Sequence, residues 1–220
     1  MLDNAFKSIV VTEAIYDYMS RQSAAPSAIQ EKLIRQTQDL GDSAEMQIPH
    51  EQAVLLGLLV KVTAATTIVE VGTYTGYSTL AFAQAVPEGG TVISCDVSEE
   101  WTAIGRQAWQ AAGVADRVDL RIGQAVDTLA ALPQSPHIDL VFLDADKKGY
   151  RTYWDLLVPR VRSGGLLIAD NVLYYGEAAS SEATGNAAAI RDFNAHVLAD
   201  RRVESVMIPV ADGLTLARKK

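Results

Sequence analysis

Four carboxylic acids and two further polar residues stand at or near the ends of apolar runs, where they could bind a ligand or do chemistry. They are Glu70, Asp96, Asp144, Asp170, Lys147 and Asn171. The carboxyl ends of parallel strands meet along one edge of a sheet, so these side chains are expected to face a common crevice. A single acid after a strand can instead cap the next helix or turn. Acids at four strand ends favour a ligand site.

Three of these residues supply hard oxygen atoms. Asp144, Asp170 and Asn171 follow strands that are expected to be neighbours, and no histidine or cysteine is close to them in sequence. Oxygen ligands select Mg²⁺, Ca²⁺ or Mn²⁺ over zinc or copper, and Mg²⁺ is expected here. Three protein ligands leave positions for water or substrate oxygens. The alternative is that Asp170 and Asn171 form only a polar turn.

A glycine turn at residues 69–78, with the sequence VEVGTYTGYS, joins an apolar run to a helical stretch. Its glycines allow close backbone approach, and the helix that follows offers unpaired N–H groups to an anion. The dinucleotide fingerprint requires glycine where Tyr74 and Tyr77 stand, and the phosphate-binding loop requires a lysine after Gly76. A pyrophosphate is therefore expected to fit poorly. Tight packing of a strand on a helix, with no ligand, is the alternative.

A cofactor with a ribose and a small anionic group but no phosphate suits this turn, and S-adenosylmethionine meets that description. Asp96 follows Gly72 by 24 residues. This is near the spacing at which an acid accepts hydrogen bonds from ribose hydroxyls. Asp96 is therefore expected to bind the ribose of the cofactor.

Alternating strands and helices must position these residues. Apolar runs occupy 68–71, 91–97, 118–122, 138–143 and 165–169, and helical stretches lie near 77–86, 99–112, 124–132, 148–161 and 186–199. Such alternation predicts a parallel sheet covered on both faces. Two β-like runs, 203–210 and 214–217, are joined by a turn that contains Gly213, which predicts a C-terminal antiparallel hairpin. The expected fold is α/β, a doubly wound Rossmann-like sheet.

The chain before this core has a different pattern. Residues 1–45 are expected to form a helical segment divided at Pro26, with one apolar face made by Ile9, Val10, Ala14, Ile15 and Tyr18. A further helix is expected after Pro49, because proline suits a first helical turn. Residues 176–186 are predicted to be a mobile loop. Cys95 is expected to be a buried thiol, and Trp101, Trp109 and Trp154 are expected to be packing residues rather than stacking surfaces for a substrate.

Composition limits the class of protein. The chain has 220 residues, 49% of them hydrophobic, which suits one domain over 1–220 with a core at 46–220. A net charge of -8 disfavours a nucleic-acid partner, since such binders rely on Lys and Arg. No apolar run reaches the ~20 residues that span a bilayer, and the first residues lack the apolar core of a signal peptide. No membrane partner and a cytoplasmic location are therefore expected.

Three motifs together resemble those of the cation-dependent O-methyltransferases, the caffeoyl-CoA and catechol O-methyltransferase group. They are VEVGTYTGYS at 69–78, FLDADK at 142–147 and DNVLY at 170–174. The resemblance extends from about residue 46 to the end of the chain. It implies the class I fold of S-adenosylmethionine-dependent methyltransferases and a homodimer.

The resemblance also implies roles for particular residues. Glu70 would hold the methionyl part of the cofactor and Asp96 its ribose. Further cofactor contacts would come from Met46, Gly72, Thr73, Tyr74, Ser78, Val97, Ala125, Asp144 and Asp146. Asp144, Asp170 and Asn171 would bind the metal. Lys147 and Asp144 would be catalytic, with Lys147 either a general base or an orienting group, and Asn171, Tyr174, Tyr175 and Lys147 would contact the acceptor.

Some positions depart from plant relatives. Ile48 replaces a threonine near the cofactor, Tyr174 and Tyr175 replace a Trp-Asn pair, and residues 148–149 replace an Asp-Asn pair. These departures leave the identity of the acceptor open.

The expected function is methyl transfer from S-adenosylmethionine, with a divalent cation, to one hydroxyl of a vicinal dihydroxy aromatic small molecule, as in secondary metabolism. Two alternatives remain. One is a protein that binds S-adenosylmethionine without catalysis, which the presence of Lys147 and all three metal ligands disfavours. The other is a nicotinamide-dependent oxidoreductase, which Tyr74 disfavours.

Overall fold

The computed structural model describes residues 9–220, and it confirms the doubly wound, Rossmann-like α/β fold. Seven strands form one sheet: β1 (Thr67–Val71), β2 (Thr91–Asp96), β3 (Val118–Ile122), β4 (Ile138–Leu143), β5 (Val161–Ala169), β6 (Val203–Ile208) and β7 (Leu214–Lys219). Their order is β3-β2-β1-β4-β5-β7-β6. Strands β1 to β5 are parallel, and β7 pairs antiparallel with both β5 and β6. The predicted C-terminal hairpin is therefore present.

Eight helices accompany the sheet within the described residues: α1 (Glu13–Arg21), α2 (Ala28–Gln38), α3 (His50–Thr63), α4 (Tyr77–Ala85), α5 (Glu99–Ala111), α6 (Ala125–Ala131), α7 (Tyr150–Leu157) and α8 (Gly185–Ala199). Two apolar clusters cover the two faces of the sheet. One contains Trp154 and Phe193 from α7 and α8, and the other contains Leu56 and Phe82 from α3 and α4. Burial on both faces explains why the central strands are apolar along their length.

The strand order reverses beside β1. The chain proceeds from β1 outward to β2 and β3, and β4 then returns to the other side of β1. Because β1 and β4 pair in register with Val71 opposite Leu143, Gly72 and Asp144 leave the sheet side by side. The crevice at such a reversal is the usual ligand site of an open α/β sheet.

The α7 to β5 connection differs from the sequence prediction. The helix expected over 148–161 ends at Leu157, and a 3₁₀ turn at Val158–Arg160 follows it. Pro159 explains the ending, because it has no N–H to continue the helix. Strand β5 then begins at Val161 rather than at residue 165, with a register shift against β4 and a positive φ of 79° at Gly164.

The N-terminal segment also begins differently. Helix α1 starts only at Glu13, with the hydroxyl of Thr12 accepting a hydrogen bond from the Ile15 N–H. Ile9 and Val10, expected on its apolar face, precede the helix and are exposed. The part of this prediction before residue 9 lies outside the described residues, so the assignment of 1–220 as one domain stays a prediction.

Residues 176–186 are more ordered than a free loop. They include a 3₁₀ turn at Glu177–Ala179 and the first turn of α8. Arg191 donates hydrogen bonds to the carbonyl oxygens of Ser180 and Ser181, which ties the segment to α8. The mobility expected from composition stays a prediction. In residues 9–220, no helix has the length and apolar character needed to cross a bilayer.

Candidate functional site

A cavity of about 580 Å³ opens at the carboxyl ends of β1, β2, β4 and β5. This volume is typical of sites for small molecules. Fifteen of the predicted site residues line it: Met46, Gly72, Thr73, Tyr74, Ser78, Asp96, Val97, Ala125, Asp144, Asp146, Lys147, Asp170, Asn171, Tyr174 and Tyr175. The structure thus brings together residues from nearly the whole length of the core. Glu70 is the exception.

The glycine turn touches the start of the loop after β4. Gly72 has φ +99°, and a Cβ atom placed there would lie 1.9 Å from the carbonyl oxygen of Asp144. The backbone N–H of Asp144 donates to the carbonyl of Val71 at 2.8 Å. Only glycine permits both this φ and this approach. The glycine turn, predicted to bind the cofactor, is therefore in direct contact with Asp144, predicted to bind the metal.

Asp96 forms hydrogen bonds with the other side of the glycine turn. Its Oδ2 accepts hydrogen bonds from the backbone N–H groups of Thr73 at 2.9 Å and Tyr74 at 2.7 Å, and its Oδ1 accepts from the N–H of Ser98 at 2.8 Å. These three bonds fix the carboxylate at the cavity wall. Oδ2 has used both of its acceptor positions, and Oδ1 keeps one for a ligand. Binding of a ribose by Asp96 stays a prediction.

Glu70 lies behind the cavity wall rather than on it. Its side chain is fully buried, and its Oε2 accepts hydrogen bonds from the hydroxyls of Ser94 and Thr79. Its Oε1 has no hydrogen-bond partner. Burial raises the pKa of Glu70 from its ordinary value of 4.5 to about 7. This position supports the turn from below, and a direct contact between Glu70 and a cofactor stays a prediction.

The start of α4 faces the same cavity. Gly76 precedes the helix, and no side chain caps its first N–H groups. Tyr77 and Ser78, in the first turn, line the cavity. Free N–H groups and the positive end of a helix dipole favour a carboxylate or another anion at this point.

Two aromatic rings form the wall next to the turn. Tyr74, with φ +51°, packs edge to face against Trp101 at 5.1 Å between ring centroids. The Tyr74 hydroxyl donates to the carbonyl of Ser43 at 2.8 Å. Trp101 lines the cavity and packs on Tyr74, and its role as a packing residue rather than a substrate contact stays a prediction. Trp109 and Trp154 are buried in the core as expected.

Lys147 connects the ends of β4 and β5. Its Nζ donates to Asp144 Oδ1 at 3.2 Å, Asn171 Oδ1 at 2.7 Å and the hydroxyl oxygen of Tyr150 at 2.8 Å. The side chains of Lys147 and Asp144 are largely buried. Three acceptors match the three protons of an ammonium group. These contacts join the ends of β4 and β5 through one side chain, and the choice between base and orienting group for Lys147 belongs to the proposal below.

Asp170 is buried beneath this group. Its Oδ2 accepts a hydrogen bond from Gln52 Nε2 at 2.5 Å, and its Oδ1 accepts from the backbone N–H of Asn171 at 2.7 Å. Burial, followed by the charge of Asp144, raises the pKa of Asp170 from 3.8 to about 7. The mutual effect of the two carboxylates favours a positive charge near them.

The predicted metal ligands follow the ends of two neighbouring strands, β4 and β5. Asp144 and Asn171 contact the same Lys147 Nζ, and Asp170 is adjacent in sequence to Asn171. Within residues 9–220, no group of three or more His, Cys, Asp or Glu side chains is arranged to hold a metal ion. The predicted set consists of two carboxylates and one amide. A hard cation such as Mg²⁺ or Ca²⁺ accepts both kinds of oxygen ligand.

Asp146 is held by two further contacts. Its Oδ1 accepts a hydrogen bond from the Tyr153 hydroxyl at 2.6 Å, and its Oδ2 accepts from the Gly149 N–H at 2.9 Å. A Cβ atom on Gly149 would lie 2.5 Å from the Tyr153 ring. Glycine at 149, one of the departures from plant relatives, therefore allows tyrosine to reach Asp146.

The segment after β5 forms the outer wall. Asn171, Tyr174 and Tyr175 all have positive φ values, 52°, 47° and 55°, which are uncommon for residues other than glycine. Asn186 Nδ2 donates to the Tyr174 hydroxyl oxygen at 3.1 Å. Tyr175 is 75% exposed, and its backbone N–H donates to Asp212 Oδ1 at 2.6 Å. Strained backbone of this kind is common at ligand sites.

Several cavity residues were not predicted from the sequence. They are Gln52, Tyr153, Gln124, Asn186, Glu45 and Asp212. Gln52 contacts a partner 118 positions away, so no local pattern could reveal its role. Cys95 also lines the cavity, but it is 1% exposed and burial raises its pKa to about 12. The prediction of a buried thiol on a strand is confirmed.

Several known proteins with similar sequences or folds are described as O-methyltransferases. The sequence model of the O-methyltransferase family matches residues 20–220. A protein of Dictyostelium discoideum named "Probable caffeoyl-CoA O-methyltransferase 1" is 37% identical over 211 residues, which cover 94% of this chain and 92% of that protein.

Two solved structures extend the similarity. The O-methyltransferase from Bacillus cereus in complex with SAH has a TM-score of 0.86 and 29% identity, covering 94% of this chain and 97% of that one. The second is TomG from Streptomyces achromogenes, an O-methyltransferase involved in tomaymycin synthesis that was solved in complex with SAM. It has a TM-score of 0.86 and 25% identity, and the match covers 94% of this chain and 96% of TomG. The match over most of the chain decides against the nicotinamide-dependent alternative. The chain belongs to the O-methyltransferase family.

Proposed function

We propose that this O-methyltransferase transfers the methyl group of S-adenosylmethionine to one hydroxyl of a vicinal dihydroxy aromatic small molecule, with a divalent cation, Mg²⁺ first among the candidates. One observation carries the proposal. Oxygen atoms of Asp144 and Asn171 converge within 3.2 Å of a single Lys147 Nζ, beside the backbone contact between Gly72 and Asp144. Groups suited to an acceptor oxygen thus adjoin a turn suited to the cofactor.

The residues of the turn fit S-adenosylmethionine. The uncapped start of α4 offers N–H groups to its carboxylate, and Asp96 Oδ1 retains one acceptor position for a ribose hydroxyl. The solved relatives carry SAM or SAH, which supports the same assignment. The cofactor supplies an electrophilic methyl group. The task of the chain is to orient the acceptor oxygen toward it.

The residues beside Lys147 fit a divalent cation. Asp144, Asp170 and Asn171 supply oxygen donors, and burial, with the charge of Asp144 as a smaller cause, raises the pKa of Asp170. Such a cation, when bound, would lower the pKa of an acceptor hydroxyl and fix its orientation. Vicinal hydroxyls are preferred because two adjacent oxygens match one cation.

Lys147 orients the acceptor in this proposal. Its ammonium is held by Asp144, Tyr150 and Asn171, so it presents a fixed positive charge to the reacting oxygen. Tyr150 is fully buried, and its hydroxyl lies within hydrogen-bond distance of the carbonyls of Leu143 and Asp170. Charge stabilisation at the developing oxyanion needs no proton transfer by lysine.

Tyr174 and Tyr175 supply the aromatic wall against an aryl acceptor. Their rings contact each other edge to face at 5.8 Å. A small-molecule acceptor is supported over a nucleic acid by the net charge of -8. The cytoplasmic location and the homodimer are part of this proposal, and light scattering of the purified protein tests the dimer.

Transfer of a labelled methyl group tests the reaction. The protein is incubated with labelled S-adenosylmethionine, Mg²⁺ and one of three acceptors, catechol, resorcinol or phenol. We expect product from catechol and at least about 100-fold less from the other two, since only catechol has adjacent hydroxyls. Equal methylation of phenol would show that paired oxygens are not recognised.

A further inference from the structure

Two carboxylates at the acceptor end of the cavity have no part in the proposed reaction. Here the acceptor end means the cavity wall formed by Lys147, Tyr174, Tyr175, Glu45 and Asp212. Asp212 lies in the turn between β6 and β7. Its Oδ1 accepts from the Tyr175 N–H at 2.6 Å, whereas its Oδ2 is buried without a hydrogen-bond partner. A carboxylate oxygen is therefore left uncompensated beside the aromatic wall.

Glu45 reaches the same region from the 3₁₀ turn at Gly41–Met46. Its charge is the largest cause of the raised pKa of the Tyr175 phenol, and the charge of Asp212 contributes to the same shift. Neither Glu45 nor Asp212 forms an ion pair with any residue in 9–220. Two acids on separate elements thus act on one side chain of the wall.

The whole cavity has an excess of negative charge. Its wall contains six acids, which are Glu45, Asp96, Asp144, Asp146, Asp170 and Asp212. Lys147 is the single cationic side chain among the described residues of the wall, and its three donors are already engaged. Carboxylates and phosphates are normally bound by arginine or lysine. Apart from Lys147, whose donors are engaged, the acceptor end has no such side chain for an anionic tail.

We propose that the acceptor end selects substrates by charge, with Asp212 and Glu45 as the specificity-determining residues. The inference rests on the proposed function and defines its acceptor class more closely. Vicinal dihydroxy aromatics with a cationic tail, such as an alkylammonium, are preferred to neutral ones, and carboxylate or CoA conjugates are disfavoured. Like charges across a partly desolvated wall repel, and opposite charges attract, with the strongest effect at low ionic strength.

A matched pair of catechols tests this selection. Dopamine and 3,4-dihydroxyphenylacetate have the same reacting ring and short tails of opposite charge, and 4-methylcatechol is the neutral reference. We expect kcat/KM to be about tenfold higher for dopamine than for the acid at low salt. Asp212→Asn and Glu45→Gln should each lower this ratio by about threefold or more, and added KCl should lower it in the wild type.

Glu88→Gln is the control for loss of one negative charge. Glu88 is exposed in the turn before β2, at the opposite edge of the sheet from the cavity. The ratio of kcat/KM for dopamine to kcat/KM for the acid should therefore be the same in this variant as in the wild type. The Asp212→Asn variant keeps an oxygen for the Tyr175 N–H, so the wall is retained. A ratio unchanged in both cavity variants would overturn the inference.

Two further outcomes have separate meanings. Arg21 lies on a second cavity, of about 740 Å³, which shares Gln47, Ile48 and Pro49 with the first. A higher kcat/KM for caffeoyl-CoA than for dopamine would assign acceptor selection to a cation such as Arg21. That result would overturn the inference about charge selection but leave the proposed function intact. Methylation of none of the catechols would overturn the proposed function, and the inference with it.

Discussion

At the scale of single residues, Gly72 determines whether the two halves of the site can meet. Its φ of +99° and its contact with the Asp144 carbonyl leave no room for a side chain. This position was predicted from the glycine turn alone, because a strand that runs directly into a helix needs such a residue. Its actual neighbour, 72 positions later in the chain, emerges only from the pairing of β1 with β4.

Gly72→Ala should weaken cofactor binding at least about tenfold and lower the melting temperature by several degrees, because backbone strain and a clash act together. Isothermal titration with S-adenosylmethionine and a thermal melt measure the two effects. Gly89→Ala is the matched control, since Gly89 has φ +78° with no atom within 4 Å of a new Cβ. Equal effects in the two variants would show that the contact with Asp144 is unimportant.

Gln52 is the residue whose role the sequence concealed most completely. It is fully buried on α3, and it holds one oxygen of Asp170 while its own Oε1 has no partner. Sequence patterns reveal helix faces and strand ends, but not which buried amide will meet which acid. We therefore assign Gln52 as a positioning residue for Asp170.

Gln52→Met should weaken binding of Mn²⁺, used as a probe of the cation site, by about 10–100-fold, as outer-shell partners of metal ligands do. S-adenosylmethionine affinity should be unchanged. Titration calorimetry with each ligand separates the two results. Gln84→Met, at an exposed position of α4, is the control. Loss of cofactor affinity with intact Mn²⁺ binding would contradict the assignment.

At the scale of elements, Glu70 joins β1 to its neighbours. Its carboxyl group accepts hydrogen bonds from Ser94 on β2 and Thr79 on α4, and the Ser94 hydroxyl also lies 2.6 Å from that of Thr73 in the turn. The sequence predicted an acid at this strand end. It did not predict that the acid would be fully buried, because burial depends on how α4 packs on the sheet.

This burial predicts a dependence of stability on pH. Glu70 is protonated in both states below about pH 4.5, whereas between pH 4.5 and 7 the unfolded chain releases its proton and the folded chain keeps it. Its contribution to stability therefore falls as pH rises through this window and levels off above it. Glu70→Gln removes this loss, roughly 3 kcal/mol at pH 8.

Thermal melts from pH 4 to pH 8 measure the effect. The melting temperature of Glu70→Gln minus that of the wild type should increase by on the order of 10 °C as pH rises to about 7. Above that pH the difference should remain constant. Glu88→Gln should follow the wild type throughout. A difference between Glu70→Gln and the wild type that does not vary with pH would indicate an ordinary pKa for Glu70.

A side-chain hydrogen bond also connects the segment after β5 to the start of α8. Asn186 donates to the Tyr174 hydroxyl, and Tyr174 has a positive φ. Asn186→Ala and Tyr174→Phe should each raise KM for catechol by about threefold, because the ring loses its fixed position. The double variant should match either single one, since both remove the same bond. Additive effects in steady-state kinetics would show that the two residues act separately.

At the scale of the whole molecule, the fold was predictable because each central strand is apolar along its length and each is followed by a helical stretch. The position of the cavity was predictable because the carboxyl ends of parallel strands share one edge. The charge of its acceptor end was not. Glu45 and Asp212 lie in turns far apart in sequence, and only the assembled sheet brings them to one wall.

The account as a whole depends on a divalent cation held by Asp144, Asp170 and Asn171. The most direct test measures methyl transfer to catechol and cofactor affinity in the same samples, with Mg²⁺ or with EDTA, for the wild type and Asp170→Asn. We predict that EDTA lowers turnover at least about 100-fold, that Mg²⁺ restores it only in the wild type, and that cofactor affinity persists throughout. Undiminished turnover in EDTA would contradict the account.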